Sequence, residues 1–477
     1  MGAKFHKSAT SYQPQKGRPS DRARPRRAAQ SALTARTGGP ARSTPDWWPG
    51  PLHPGLVARP APRSAPLAEQ VAYEMMRVLV LNPGSSSLKS SVVETATIPA
   101  AGTDGCVPAP SDELLAPLAK MDVDWGADAT ASGDPADDIR ALVAKYEAAG
   151  ISLHSLAAVG YRVVHGGATF RRPVRVTPEV IAQVTVLRDL APLHNGVAAA
   201  AMTAGLEAIP QLSHVAVFDT AFHATLPEEA YRYAVPDQWY REWGVRRYGF
   251  HGMSVEWSAE RAAALLGRPV HELGTVVAHL GSGCSVTAID GGRSVSTSMG
   301  LTPLEGLMMG TRAGSIDPGI LFYLLRNGRL DADELADQID HESGLLGVSG
   351  RTSDVRELLR AEADGDGPAT LALTMFVRRA AECIAAAATA LKAVDAIVFT
   401  GGIGENAAGL RARIVRRLSA LGVAPIPEEA VAEDAVLSAT GGLRGNSPGN
   451  SPAILRIEAR EDLIVAREAA GLTAARA

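Results

Sequence analysis

A chain of 477 residues is long enough for two domains, and an apolar content of 46% allows each of them a large core. The net charge of −4 excludes an overall electrostatic pull toward nucleic acid or membrane. Three cysteines, Cys106, Cys284 and Cys383, show no metal-ligand spacing and fit free thiols in a reducing cytoplasm.

Residues 1–75 carry 12 Lys+Arg against 4 Asp+Glu, are rich in Pro, Arg, Ser and Ala, and show no apolar period. This composition predicts a disordered extension, with the folded part beginning at Met75 or Met76. An Arg-rich, acid-poor start is also the composition of a transit peptide. Val78 to Leu81 then reads as a short apolar strand. It breaks into Asn82-Pro83-Gly84-Ser85-Ser86-Ser87-Leu88-Lys89. Gly84 lets the backbone approach a bulky anion, three serines supply short donors, and Lys89 supplies a point charge. The turn suits phosphate, although the spacing of a P-loop is absent. A second strand follows from Leu88 to Val93, and residues 95–138 read as an elaborated loop region.

Asp137 to Ala149 reads as a helix and Ala157 to Val164 as a strand that carries Arg162. A buried arginine needs an anionic partner, either an internal acid or a carboxylate or phosphate ligand. Pro173 to Leu187 is strand-like and then helix-like, and His194-Asn195 after Pro192 reads as a loop pair. The strand His214 to Phe218 ends at Asp219-Thr220-Ala221-Phe222-His223. An acid just past a strand's carboxyl end is placed to hold a metal or substrate, or to cap a helix. His251 stands between glycines in Arg246-Arg247-Tyr248-Gly249-Phe250-His251-Gly252.

The strand-and-glycine-turn arrangement then recurs. Thr275 to Leu280, with His279, runs into Gly281-Ser282-Gly283-Cys284-Ser285, and Val286 to Ile289 leads to the hairpin turn Asp290-Gly291-Gly292. In Gly310-Thr311-Arg312-Ala313-Gly314, small neighbours leave Arg312 free to reach a transferred phosphate. Arg351 to Ala361 and Leu371 to Lys392 read as helices. The Ala-rich stretch near Ala385 is interrupted by Glu382 and Lys392, so it reads as a buried helix and not as a membrane span. A third glycine turn, Gly401-Gly402-Ile403-Gly404-Glu405-Asn406, follows the strand Ala396 to Thr400 and precedes a helix from Ala407 to Leu418. A strand from Ala453 to Ile457 and a helix from Glu461 to Ala470 close the chain. Three strand-to-glycine turns, candidate acids and isolated arginines fit phosphoryl transfer between two related halves.

In their order and spacing these motifs resemble the acetate kinase family from Met76 to near the C-terminus. The resemblance implies an α/β fold of two similar actin-like (ribonuclease H-like) domains flanking a nucleotide cleft. The expected boundaries are 76–222, completed by 456–477, for the first domain and 223–455 for the second. It also implies the reaction of ATP with acetate to give ADP and acetyl phosphate, with Mg²⁺ (or Mn²⁺), in a cytoplasmic homodimer. By resemblance, Asn82 and Glu461 serve the metal, and Lys89, His279, Leu280, Gly281, Ser282, Gly283, Asp354, Val355, Arg356, Gly402, Ile403, Gly404, Glu405 and Asn406 serve ATP. Arg162, Val164, Leu193, Phe250 and Pro303 form the acetate pocket, and Asp219, His251, Arg312 and His194 are catalytic. The chain departs from the family pattern at Ser282, where Asn is usual, and at Ala459-Arg460, where Thr-Asn is usual. A propionate or butyrate kinase is the near alternative. An actin- or chaperone-like ATPase is the distant one, and it would need neither Arg162 nor an apolar acid pocket.

Overall fold

The computed structural model describes residues 74–84, 87–97, 117–124, 135–438 and 451–475. Most of the expected N-terminal extension, Ser85, Ser86 and Cys106 lie outside these residues. Twelve strands make two six-stranded sheets. The first contains β1 (Glu74–Pro83), β2 (Ser87–Thr97), β3 (Ala119–Asp124), β4 (Leu156–Val163), β5 (Val174–Arg175) and β6 (Ser213–Phe218). The second contains β7 (Gly274–Leu280), β8 (Cys284–Asp290), β9 (Arg293–Thr297), β10 (Ala396–Thr400), β11 (Ala435–Val436) and β12 (Ala453–Arg456).

The spatial orders are β3-β2-β1-β4-β6-β5 and β11-β12-β10-β7-β8-β9. Read from the hairpin end, they are the same order. In each sheet three antiparallel strands lead into two parallel ones, and a two-residue antiparallel strand closes the edge. The chain is therefore a mixed α/β protein of two domains built on one plan. The parallel strands β1, β4 and β6 end together at Asn82, Arg162 and Asp219, and β7 and β10 end together at His279 and Thr400. Carboxyl ends of parallel strands are where open α/β sheets bind ligands.

The sequence expectation of a start at Met75 or Met76 needs correction. β1 begins at Glu74, which pairs with Thr97, because apolar Met75 and Met76 extend the ladder. The expected loop at 95–138 contains β3, whose alternating Ala119-Lys120-Met121-Asp122-Val123-Asp124 pairs with β2. The expected loop at His194-Asn195 is the first turn of the helix Pro192–Ala208. Proline suits that first turn, where the missing N–H has no intrahelical partner to lose.

Each domain has its own apolar cluster, and a third lies between the sheets. Into this third cluster go Val78 and Val80 of β1, Val277 and Val398 of the second sheet, and two helices, Gly252–Leu266 and Glu461–Ala474. The last helix lies so close to β4 that a Cβ on Gly160 would stand 2.6 Å from a methyl of Val465. Gly160→Ala is therefore expected to cost about 1–3 kcal/mol of unfolding free energy by overpacking, read by urea denaturation. An unchanged midpoint would show that the helix yields freely.

Candidate active site

Three strand ends of the first domain carry expected site residues, Asn82, Arg162 and Asp219. Arg162 lies on β4, and Asp219 follows β6 with its N–H donating to Val163 O at 2.9 Å. The Arg162 guanidinium donates to Asp219 through Nη2 at 2.8 Å and through Nε at 3.1 Å. Its Nη1 lies 2.8 Å from Glu461 Oε2. Burial works against the charge on Arg162, but the carboxylates of Asp219 and Glu461 overcome it and hold its pKa above the ordinary value. The internal ion pair left open by the sequence is thus present, and it joins two of the expected site acids.

Arg460, which departs from the family pattern, pairs with the neighbouring acid Asp462. The two bonds are 2.9 and 3.0 Å long. Asn82 sits opposite Lys89 in the β1–β2 ladder, with Lys89 exposed. Among the described residues no cluster of three His, Cys, Asp or Glu could hold a metal. A cation that arrives on nucleotide phosphates needs only one or two hard oxygen donors from the protein, and Glu461 with Asn82 fits that requirement.

The second domain brings imidazoles and Arg312. His251 is the N-cap of the helix Gly252–Leu266 and has φ 59, the only positive φ outside glycine among the described residues. Such a conformation costs roughly 1–3 kcal/mol and persists where the surroundings fix it. Here Gly252 N donates to Asp219 O at 2.9 Å, tying the turn to the first domain. The His251 ring stacks on His279 at 4.1 Å between centroids. A Cβ on Gly283 would meet His251 Nε2 at 3.3 Å and Arg312 Nη1 at 3.4 Å, so both groups crowd the second glycine turn.

Arg312 is mostly buried. It touches Pro303 O at 3.3 Å, and its nearest acid, the half-exposed Asp340, is 4.0 Å away. Burial lowers its pKa from the ordinary arginine value. His194 lies within the fields of both Arg312 and Arg162. Burial first, and those charges second, pull it down to about 4. Burial and the Arg162 charge bring His279 to about 4, and burial with His279 and the two arginines puts His251 well below its usual range. The imidazoles are therefore neutral at pH 7, and the positive charge beside them comes from Arg162 and Arg312.

The remaining expected residues divide by placement. Phe250 is buried against His165, with ring centroids 5.3 Å apart, and Val164 packs on the same apolar cluster. Leu193 lies in the first turn of the helix Pro192–Ala208. Ser282 is exposed at the tip of its turn, and Ser282 O accepts from Gly310 N. Leu280, Val355 and Ile403 point into the second domain's core, so a ligand would meet their backbone.

Gly401–Asn406 is itself a short helix and not a turn ahead of one, and its carbonyls at Gly404 and Glu405 accept from the buried Arg411. The Glu405 carboxylate accepts from Ala459 N at 3.0 Å, two residues before Glu461. Asp354 caps the helix Val355–Ala363 and bonds the Arg356 guanidinium, which holds Asp354 down near 2. That cap starts the helix four residues later than the expected Arg351. Ser254 and Ser285, which bond His279 and His251, carry no sequence signal, since they lie 25 and 34 residues from their partners.

The buried histidines make stability acid-sensitive. His165, His194, His223 and His279 each have a folded pKa of about 4 against 6.5 unfolded, with burial as the leading cause. The unfolded chain binds more protons in that window, so stability is complete above pH 6.5 and falls toward pH 4. By pH 5 each histidine is expected to cost up to about 2 kcal/mol. Denaturant unfolding at pH 7.5 and 5.5 should show the drop, and a flat profile would contradict neutral burial.

The profile of the acetokinase family matches residues 77–467. This chain belongs to the acetokinase family. It is similar to the acetate kinase of Deinococcus radiodurans, with 45% identity over 410 residues, covering 84% of this chain and 99% of that protein. It is also similar to the acetate kinase of Geobacillus kaustophilus, with 39% identity, covering 83% and 98%. The Porphyromonas gingivalis acetate kinase structure superposes with a TM-score of 0.69 at 33% identity, covering 83% of this chain and 100% of that one. A Francisella tularensis propionate kinase structure gives the same TM-score and identity, covering 82% and 98%. As a family member the chain is a kinase, a phosphotransferase with a carboxyl group as acceptor.

Proposed function

We propose that this protein is an acetate kinase that reversibly transfers the terminal phosphoryl group of ATP to acetate, giving acetyl phosphate and ADP. The observation that carries this is that Arg162, held by two acids, and Arg312, whose nearest acid stands 4.0 Å away, act on one neutral imidazole, His194. One guanidinium is fixed in place and the other is ready for an anion.

Acetate is a carboxylate at pH 7 and needs no general base to attack phosphorus. Glu461, held to Arg162 by one contact, gives way to the substrate carboxylate, while Asp219 keeps the guanidinium aimed. Val164, Phe250 and Pro303 bound the methyl side, and Leu193 belongs to the same pocket by family resemblance alone. An acetate oxygen attacks the terminal phosphorus in line, the bond to the bridging oxygen breaks, and ADP leaves. Arg312 and His251 meet the charge that spreads over the equatorial oxygens. Lys89, residues 279–283, 354–356 and 402–406 line the nucleotide. Asn82 and Glu461 would hold Mg²⁺ (or Mn²⁺), which when bound neutralises phosphate charge.

The proposal includes a cytoplasmic homodimer. The helix Pro318–Arg326 leaves Ile320, Phe322, Tyr323 and Leu325 exposed, an apolar face suited to a second copy. Among the described residues no helix is long and apolar enough to cross a membrane.

Acyl hydroxamate formation from purified protein, ATP, Mg²⁺ and acetate, propionate or butyrate tests the reaction. Acetate should give the highest kcat/KM. Propionate is the competitor, since one methylene separates the two by only about 1–3 kcal/mol. Absence of hydroxamate from every acid would overturn the proposal.

A further inference from the structure

The two stacked imidazoles of the cleft share a second feature. Each turns Nε2 toward a glycine turn. A Cβ on Gly283 would lie 3.3 Å from His251 Nε2, and one on Gly281 would lie 3.7 Å from His279 Nε2. Each rests its other nitrogen on a serine hydroxyl. Ser285 Oγ is 3.0 Å from His251 Nδ1, and Ser254 Oγ is 2.8 Å from His279 Nδ1. Both serines are fully buried.

A serine hydroxyl carries one proton. If it donates to Nδ1, the hydroxyl is satisfied and the imidazole proton sits on Nε2. If it accepts from Nδ1–H, its own proton is buried without an acceptor, at a cost of about 1–3 kcal/mol. Three other buried histidines, whose partners act in one direction only, show the same choice. His223 Nε2 lies 2.9 Å from Phe250 O, which can only accept, so His223 Nδ1 takes the hydroxyl of Ser294 at 2.9 Å. His165 Nδ1 accepts from Gly167 N at 2.9 Å, so its Nε2 donates to Leu301 O. His214 Nε2 donates to Ile209 O, and its Nδ1 accepts from Tyr161 at 2.7 Å.

We infer that Ser285 and Ser254 fix the tautomers of His251 and His279, so that both rings present Nε2–H to the glycine turns. The two serines are positioning residues. On the kinase reading, on which this role rests, two neutral N–H donors beside Arg312 face the phosphate chain. The opposite tautomer would aim lone pairs at phosphate oxygens.

Long-range ¹H–¹⁵N correlation spectra of full-length protein labelled at histidine distinguish a protonated ring nitrogen from a bare one. His251→Gln and His279→Gln assign the signals. At pH 7.5 the wild type should show Nε2–H for both residues. Ser285→Ala should mix the His251 tautomers and lower kcat roughly tenfold, with KM for ATP and acetate within about twofold. Ser285→Thr, which keeps the hydroxyl, should restore tautomer and kcat together. Nδ1–H on His251 in the wild type would overturn the inference, and so would Ser285→Ala with both tautomer and kcat intact. Nε2–H in a protein with no kinase activity would leave the tautomer assignment standing and reject the kinase reading instead.

Discussion

Arg312→Ala is expected to lower kcat by roughly a thousandfold or more while leaving KM for acetate nearly unchanged. That split marks an interaction made mainly in the transition state, and a thousandfold corresponds to about 4 kcal/mol. The surroundings of Arg312 support the expectation. Its nearest acid is 4.0 Å away and half-exposed, and its other contact is a backbone carbonyl at 3.3 Å. Little in the free protein therefore satisfies a mostly buried guanidinium, and an anion entering beside Gly283 would. The loop itself is held by its backbone, with Met309 N donating to Arg312 O and Ser343 N to Thr311 O, so truncating the side chain should leave the melting temperature unchanged. Arg312→Lys should not restore kcat, because lysine lacks the planar fork of donors. Steady-state kinetics with both substrates varied decide the matter. An unchanged kcat in Arg312→Ala would remove this residue from the chemistry.

The strands that carry the site were legible because buried parallel strands read as unbroken apolar runs. Ala396–Thr400 is found with the expected limits, and Gly274–Leu280 differs by one residue. The hairpin turn was legible because it needs positive φ twice, and Gly291 and Gly292 have φ 57 and 80. The helix Pro192–Ala208 was not legible. Its Ala- and Gly-rich sequence has no apolar period, and Pro192, which resembles a loop marker, is in fact a helix start. The two-residue edge strand Ala435–Val436 is too short to leave a pattern, whereas the strand-then-helix reading of Pro173 to Leu187 is met by Val174–Arg175 and Pro178–Val186.

Within the site, motif order marked where polar groups would gather but not what each would bond. Arg162 could be read toward an internal acid or a ligand, and only the fold shows Asp219 and Glu461 on it, 57 residues away in one case. Asp354 and Arg356, expected as ligand contacts, are spent largely on each other and on a helix cap. The Glu405 carboxylate accepts from the backbone ahead of Glu461, which joins the third glycine segment to the chain that carries Glu461. Such pairings are tertiary, and no local spacing encodes them.

Asp219→Asn is expected to abolish most activity at every pH. Both Asp219 oxygens accept from Arg162, at 2.8 and 3.1 Å. An asparagine can offer one oxygen, but its amide hydrogens would face a guanidinium that has no acceptor. Arg162 would then rest on Glu461 alone, the partner that on the proposed mechanism releases it for substrate. Losing the aim of a substrate-holding arginine costs on the order of a hundredfold from misplacement alone. Removing one partner of a buried pair costs about 3–5 kcal/mol of stability. KM for acetate should rise, kcat should fall, and the Mg²⁺ concentration for half-maximal rate should shift as Glu461 is drawn to Arg162. Because acetate needs no base, no change of pH should restore the rate. Kinetics between pH 6 and 9 at several Mg²⁺ concentrations test this, and full recovery at either end of that range would instead make Asp219 a proton-transfer group.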